Sequence, residues 1–252
     1  MAIEEQPNEE ILRRLIGEAR GAGSDTVRVE VSREAAPAWA RAGFSETARI
    51  VEARLEALES RLAGSGGRSF GSIHVQSDDL DGVVRAVRQF VPRMPGSSKG
   101  SAVAQPRNGW VTVYDELTDR DPEMLRRLAR ELSDRMGAVV LLLGVELEQV
   151  VRFVLFERGR VMDEYLSVPQ FHGELPPGDV ISLAANPTVV ARLTGADPAA
   201  VRTVIRTADR PEDLSPAPQL IAEIAAVLGV EGAGHGYAGA TDEPGCVAIT
   251  RP

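Results

Sequence analysis

The sequence just past the middle of the chain constrains the fold most strongly, because it reads as three β-strands in a row. Apolar residues, many of them valine, dominate segments that are separated by short polar or glycine-containing turns, which is typical of buried strands. We predict strands at Ala138–Val145, Val150–Glu157 and Arg160–Ser167. The Arg158-Gly159 pair suits a tight hairpin, so the last two strands are expected to be antiparallel neighbours.

Further strand and helix signals precede this run. We predict strands at Phe70–Gln76 and Trp110–Asp115. We also predict a helix at Asp78–Phe90 and a second helix from Asp121-Pro122 to Met136, which stops at Gly137. Asp-Pro is a strong helix start, because the aspartate caps the helix and proline fits its first position. The segment Pro92–Pro106 is rich in Pro, Gly and Ser and is predicted to be a loop.

The chain changes to helical character from residue 186 onward. A capping side chain followed by proline occurs at Asn186-Pro187, Asp197-Pro198 and Ser215-Pro216. The final predicted helix is Ala217–Leu228, ended by Gly229. Residues 231–252 are rich in glycine, and we predict a tail that is loosely ordered in part.

The domain organisation follows from one flexible segment. Gly64–Arg68 (GSGGR) has no apolar anchor and is typical of a linker. It separates an N-terminal unit, residues 1–63, from a mixed domain, residues 69–230. That domain is expected to hold a sheet of about five strands, two helices packed on it and a helical C-terminal part. The predicted fold class is α+β.

The composition excludes several classes of protein. Hydrophobic residues are 43% and charged residues 26% of the chain, which is enough apolar sequence for a core. The net charge of −9 disfavours nonspecific binding to nucleic acid or anionic membranes. The single cysteine, Cys246, excludes an internal disulfide. No apolar run reaches the ~20 residues of a membrane span, and the acidic N-terminal sequence lacks an apolar signal core, so we expect a cytoplasmic protein.

The N-terminal unit has a characteristic order of elements. Apolar spacing predicts a helix over Glu9–Arg20, and alternation predicts a strand at Val27–Val31. A short helix over Ala35–Ala42 then ends at Gly43-Phe44, and a second strand lies near Thr47–Val51. The charged segment Glu52–Leu62 is predicted to be an amphipathic helix.

This order of elements, with the Ala38–Phe44 sequence AWARAGF, resembles the C-terminal half of a GNAT-type N-acetyltransferase domain over about residues 9–53. The resemblance implies that Ala35–Phe44 would lie against the pantetheine arm of acyl-CoA. It also implies acetyl-CoA as cofactor if the domain is completed by a missing segment or a partner. The larger domain resembles uncharacterised bacterial proteins, from which no activity carries over.

Two departures from the family pattern argue against catalysis. Where active members place a Gly-rich phosphate-binding loop, Ala2–Asn8 has no glycine and two carboxylates. Where members often place an acidic tyrosine, this chain has Trp39, whose indole has no proton of useful pKa. The preceding strands of the family sheet are absent, which leaves an open edge that favours a homo-oligomer or another protein partner.

Carboxylates near two predicted strand ends are the candidate site residues. They are Asp115 and Glu116 beside Tyr114, and Asp163 and Glu164 beside Tyr165. If the two strands were neighbours, these side chains could converge as an acid–base pair or on a metal. The alternative is that acids at strand ends are simply solvated.

The remaining motifs indicate little chemistry. His74 is expected to face away from Ile73 and Val75, at the surface or in a groove, while His172 and His235 lie in predicted loops; we predict no metal site. Gly234–Gly239 matches GxGxxG but lacks the strand before it and the helix after it that a dinucleotide site needs. Residues 186–210 resemble a helix-turn-helix with several arginines, although the chain is acidic.

These observations leave three functional hypotheses in order. The first is a non-catalytic interaction or regulatory protein with a degenerate acetyltransferase-like segment. The second is an acyl-CoA-dependent N-acetyltransferase. The third is DNA binding through residues 186–210.

Overall fold

The computed structural model describes residues 2–3, 7–21, 26–31, 39, 42, 45–47, 50–54, 68–96, 98–241 and 245–250. The chain divides into two compact units, Met1–Gly67 and Arg68–Pro252. The division falls inside the Gly64–Arg68 segment. Helices and an antiparallel sheet make the architecture α+β, which confirms the predicted fold class.

The first unit contains one described helix and a small sheet. Its elements are β1 (Ala2–Ile3), α1 (Glu9–Gly21), β2 (Thr26–Val31), β3 (Ser45–Thr47) and β4 (Ile50–Arg54). The strand order is β1-β2-β4-β3, in which β1 pairs with β2 in parallel and the other pairs are antiparallel. Helix α1 begins where the Asn8 side chain accepts a hydrogen bond from the Ile11 backbone N–H at 2.9 Å. It buries the apolar face that the sequence predicts.

Two predictions for this unit need correction. In place of one strand near Thr47–Val51 there are two, β3 and β4, which pair with each other. The helix expected to begin at Glu52 does not begin there, because residues 52–54 pair with β2 and continue β4. Sheet pairing outweighs the helix-like charge pattern. Residues 55–62 lie outside the described residues, as does most of the predicted helix Ala35–Ala42.

The second unit is built on a seven-stranded sheet. Its strands are β5 (Phe70–Gln76), β6 (Gly100–Val103), β7 (Trp110–Asp115), β8 (Val139–Glu146), β9 (Val150–Glu157), β10 (Arg160–Leu166) and β11 (Val247–Thr250). Its helices are α2 (Leu80–Phe90), α3 (Glu116–Arg120), α4 (Pro122–Met136), α5 (Pro177–Ser182), α6 (Pro187–Thr194), α7 (Pro198–Val204), α8 (Ala217–Leu228) and α9 (Tyr237–Ala240). The strand order is β10-β9-β8-β5-β7-β6-β11, and all neighbours are antiparallel.

The centre of this sheet has a recognisable topology. The chain runs β5-α2-β6-β7-α4-β8, and the corresponding strands lie in the order β8-β5-β7-β6. This is the split β-α-β, or ferredoxin-like, arrangement. Strands β9 and β10 extend the sheet on one side, and β11 extends it on the other. The predicted strands and hairpin of residues 138–167 are confirmed within one residue at each end.

Both faces of the sheet are covered. On one face, α2 and α4 pack on residues such as Val140 and Leu142 of β8. On the other face, α6, α7 and α8 pack on the alternating residues Leu141, Leu143 and Val145. A central strand that is buried on both sides reads as a continuous apolar run, which explains the sequence of β8.

Two paired glycines let α4 approach the sheet closely. Gly71 of β5 lies opposite Gly144 of β8. A Cβ atom on Gly71 would lie only 2.4 Å from Leu125 Cδ2 of α4, and one on Gly144 would lie 3.6 Å from the same atom. Leu125 therefore occupies the space that side chains at these two positions would fill.

Other predictions for this unit are wrong in detail. The predicted loop Pro92–Pro106 contains β6, and the sheet has more strands than the five expected. The predicted tail, residues 231–252, contains α9 and β11, and β11 pairs with β6 from Val247↔Val103 to Thr250↔Gly100. Ser215 does not cap α8, which has Pro216 at its N-cap and no capping side chain. Within the described ranges, no helix is both long and apolar enough to cross a membrane.

Candidate functional site

A cleft lies between the sheet of the second unit and the start of α4. It contains about 380 Å³ of space outside protein atoms, including open solvent at its mouth. Its walls come from the first residues of β5, the α3–α4 segment, the end of β8 and the first half of β9. The residues lining it are Ser69, Phe70, Thr118, Asp119, Pro122, Leu125, Arg126, Leu142, Gly144, Val145, Glu146, Arg152 and Val154.

The lining combines apolar and charged residues. Leu125, Leu142 and Val154 supply apolar surface, and Gly144 adds no side chain to fill the space. Four ionisable side chains, which we call the cleft charges, share this lining: Asp119, Arg126, Glu146 and Arg152. Apolar pockets with a few polar groups are the usual form of small-molecule sites.

Arg126 is held by a two-pronged ion pair. Its Nη1 and Nη2 atoms donate to Glu164 Oε1 at 2.6 Å and Oε2 at 3.0 Å. The hydrogen bonds to Glu164 raise the pKa of Arg126 above its ordinary value, against the opposing effect of burial. The pair links α4 to β10, and it fixes the guanidinium beside the cleft.

Glu146 is the centre of a second charged group. Arg152 Nε lies 3.0 Å from Glu146 Oε1, and His172 Nε2 lies 2.6 Å from Glu146 Oε2. Strand pairing explains this geometry, because Arg152 lies opposite Gly144 and therefore diagonal to Glu146 on one face of the sheet. Glu146 is 8% exposed, so its negative charge is compensated by neighbours rather than by water.

Asp119 differs from the other cleft charges. Its Oδ1 accepts a hydrogen bond from the Gly71 N–H at 3.2 Å, and its Oδ2 accepts one from the Tyr237 N–H at 2.8 Å. Burial raises the pKa of Asp119 to about 6; the two backbone hydrogen bonds oppose this rise, and the nearby carboxylates Asp115 and Glu116 add to it. Among the described residues, no cationic side chain forms a salt bridge with Asp119.

The strand-end carboxylates do not converge, because the two strands that carry them are not neighbours. Three strands, β9, β8 and β5, separate β10 from β7, so Asp163 and Glu164 cannot meet Asp115 and Glu116. Glu164 nevertheless borders the cleft through its bond to Arg126.

The other three carboxylates have structural partners. Asp115 is buried, accepts from Ser101 Oγ at 2.6 Å and caps α3 at the Leu117 N–H. Glu116 pairs with Arg120 at 2.9 Å. Asp163 accepts from the Asn186 N–H at 2.8 Å, and burial raises its pKa above the ordinary value.

The expectation that His74 lies at the surface or in a groove is wrong. The side chain does face away from Ile73 and Val75, but that face is covered by the C-terminal helices and His74 is completely buried. Its Nε2 lies 2.9 Å from Ser72 Oγ, and its Nδ1 lies 3.0 Å from Thr112 Oγ1. Burial lowers the pKa of His74 to about 3, so the ring is neutral and serves the packing of the core.

The remaining sequence motifs have structural roles. The helix-turn-helix-like segment is α6, Gly195 and α7. It buries Val201 and Ile205 in the apolar core between the sheet and the C-terminal helices. Asp197 caps α7 at the Ala200 N–H at 2.9 Å. In the GxGxxG match, His235 stacks on Tyr114 with ring centroids 5.1 Å apart.

Sequence reasoning missed the cleft charges because they are distant in the chain. Asp119 lies in the short helix α3, which the sequence analysis did not predict. Glu146 ends a buried strand, and a charged residue directly after an apolar run could have indicated a candidate site residue. Arg126 and Arg152 carry no local signal, since the pattern of their neighbours is that of an ordinary helix and an ordinary strand.

No family model, curated protein or solved structure matches this chain. In the part of the chain that the structure describes, no group of three or more His, Cys, Asp or Glu side chains is placed to hold a metal ion. The site must therefore be interpreted from its own geometry.

Proposed function

We propose that the protein is a non-catalytic interaction or regulatory protein whose second unit binds a small molecule in the cleft. The observation that carries this proposal is the combination of apolar lining and fixed charges in one cavity. Arg126 and Arg152 are both held by carboxylates, so the charged surface is organised before a ligand arrives. Organised groups reduce the free energy cost of ordering on binding.

The hydroxyl groups of the cleft support a binding role rather than covalent catalysis. Ser69 Oγ accepts a hydrogen bond from the Leu147 N–H at 2.9 Å, and Thr118 Oγ1 donates to the Asp115 carbonyl at 2.7 Å. An activated nucleophile needs a base within hydrogen-bond reach. No hydrogen bond between either hydroxyl and a side-chain base is present among the described residues.

A melting-temperature screen with a library of small polar molecules tests ligand binding. A ligand that binds only the folded state raises the melting temperature. Ser69→Trp places a large ring at the mouth of the cleft, and Arg88→Trp is the matched control on the exposed side of α2. We expect compounds that raise the melting temperature of the wild type and of Arg88→Trp but not of Ser69→Trp. If no compound does so, or if Ser69→Trp responds equally, the proposal is wrong.

The first unit contributes the acetyltransferase-like segment to this proposal. Trp39 is fully buried, which supports a packing role for the indole in the position of the family's acid. Calorimetry with acetyl-CoA and CoA tests whether the segment retains cofactor binding. We expect no binding tighter than about millimolar, roughly 4 kcal/mol; tighter binding would favour the acetyltransferase alternative.

A homo-oligomer is the proposed state of the chain, and the sheet of the first unit supports it. Among the described residues, nothing pairs with the outer side of β3, and an open strand edge favours pairing with another chain. Light scattering well above micromolar concentration should give a multiple of the 27.0 kDa chain mass; a monomer would contradict this.

The single cysteine supports a reducing, cytoplasmic location as part of the same proposal.

A further inference from the structure

The cleft charges are unequally compensated. Arg126 is paired with Glu164, and Arg152 is paired with Glu146. Asp119 differs, because among the described residues its hydrogen bonds come from backbone N–H groups alone. A carboxylate can accept about four hydrogen bonds, so the two from Gly71 and Tyr237 leave Asp119 able to accept more.

The surroundings of Asp119 hold it in one position. Its two oxygens are fixed by N–H groups from β5 and from the start of α9. Gly236 packs directly on the carboxylate, since a Cβ atom there would lie 2.2 Å from Asp119 Oδ1. The side chain therefore presents a fixed acceptor to the cleft, and a ligand need not order it.

The charge near Asp119 is negative. Asp115 and Glu116, on the same segment of chain, act on it as negative charges. The two arginines of the cleft are each held by a glutamate, so neither provides an uncompensated positive charge. A positively charged group would gain Coulomb energy at this position, and an anion would be repelled.

We propose that the ligand of the cleft carries a primary ammonium or guanidinium group, which pairs with Asp119 while a short apolar chain lies against Leu125 and Val154. This inference rests on the proposed function, because it names the class of ligand for the same cleft. An ammonium group donates three hydrogen bonds and a guanidinium donates five. Either can use the acceptor capacity that Asp119 retains.

Three probes of matched shape test the inference on the full-length protein: n-butylammonium, n-butanol and butyrate. Amide NMR titrations report binding through the shifts of Phe70, Gly71, Asp119 and Gly144. We expect n-butylammonium to bind about five to ten times more tightly than n-butanol, as a part-buried charge-assisted hydrogen bond implies. Butyrate should bind most weakly.

Variants and salt identify the group responsible. In Asp119→Asn, the preference for n-butylammonium over n-butanol should fall below about twofold. The control variant Asp81→Asn, which changes an exposed acid on α2, should keep the preference of the wild type. Because Asp119→Asn loses an acceptor for one backbone N–H and can disturb the fold, the wild type is also titrated at high salt. There the preference should shrink, since salt screens the ion pair.

The outcomes separate this inference from the proposed function. If n-butanol or butyrate binds the cleft as tightly as n-butylammonium, or if high salt and Asp119→Asn leave the preference unchanged, the inference is wrong and the cleft is still a binding site. If none of the probes shifts the cleft amides and the library screen is also negative, both proposals are overturned.

Discussion

His74 is buried on the sheet face that the C-terminal helices cover, within a chain of hydrogen-bonding groups. Ser72 Oγ, the two ring nitrogens and Thr112 Oγ1 follow one another at 2.9 and 3.0 Å, and Thr112 donates to the Glu231 carbonyl at 3.1 Å. This chain ties the segment after α8 to the middle of the sheet. A protonated ring at this position would be a buried charge, which is costly.

Acid should therefore destabilise the protein through His74. The folded pKa is about 3 and the ordinary value is 6.5, so the unfolded state binds the extra proton between these values and stability falls as pH decreases through this range. Between pH 7.5 and 4.5 this residue should account for a loss of about 2–3 kcal/mol in the free energy of unfolding. Urea unfolding at the two pH values measures it.

The comparison variant is His74→Gln, which keeps hydrogen-bonding groups but cannot take up a proton. Its loss of stability between the two pH values should be smaller than that of the wild type by about the same 2–3 kcal/mol. An equal loss in the two proteins would mean that His74 does not cause the acid sensitivity.

At the scale of elements, the position of α4 on the sheet determines the shape of the cleft. Leu125 fills the space above Gly71 and Gly144, and Arg126, the next residue, reaches Glu164 on β10. The helix carries one wall of the cleft, and the glycine pair lets that wall lie close to β5 and β8. A change at the glycine contact should therefore alter both stability and binding.

Gly71→Ala tests this contact. The new Cβ atom would lie 2.4 Å from Leu125 Cδ2, and overpacking of this kind costs about 1–3 kcal/mol. Gly178→Ala is the matched control, because no atom lies within 4 Å of a Cβ at that position; it should change stability by less than about 0.5 kcal/mol. Denaturant unfolding of both variants measures the difference.

A double variant confirms the cause of the loss. Leu125→Ala should cost less in the Gly71→Ala background than in the wild type, because the smaller side chain removes the clash. Strictly additive losses would show that Gly71→Ala acts in some other way.

The elements also show what a sequence can and cannot predict. Asp-Pro at residues 121–122 predicts the start of α4 and Gly137 its end, because capping is a local interaction. The apolar runs of β8 and β9 predict two buried strands, because this signal too lies within a short stretch of sequence. By contrast, β6 and β11 are short segments in Gly- and Pro-rich surroundings, and they become strands because they pair with each other and because β6 also pairs with β7.

The candidate site lies almost wholly beyond local prediction. Asp119, Arg126, Glu146 and Arg152 come from four separate elements, and only the strand order brings them to one cleft. His74 illustrates the related limit: alternation in β5 indicates that it faces away from Ile73, but nothing local indicates that helices far along the chain cover that face.

At the scale of the whole molecule, the chain consists of two units, and the boundary between them in the sequence falls between Gly67 and Arg68. Arg68 is exposed and follows a Gly-rich segment without apolar anchors. Exposed segments of small residues are preferred sites of proteolysis. The Arg68 carbonyl accepts a hydrogen bond from the Glu148 N–H at 3.0 Å, which protects the peptide bond after Arg68. Brief treatment with trypsin should therefore cut first on the N-terminal side of Arg68 and leave a resistant fragment that contains the second unit.

Mass spectrometry of the early fragments identifies that first cut. Arginines of the second unit that lie within helices and strands, such as Arg130 and Arg152, should remain uncut at that stage. A first cut inside the β5–β10 region would contradict the assignment of a compact second unit.

The cleft beside α4 is where we propose that this protein binds a small molecule. The most direct measurement is an amide NMR map of the full-length protein with the compounds that raise its melting temperature. We predict shifts concentrated at residues 69–71, 118–126 and 142–146. Shifts that cluster elsewhere, for example on α6 and α7, would contradict it.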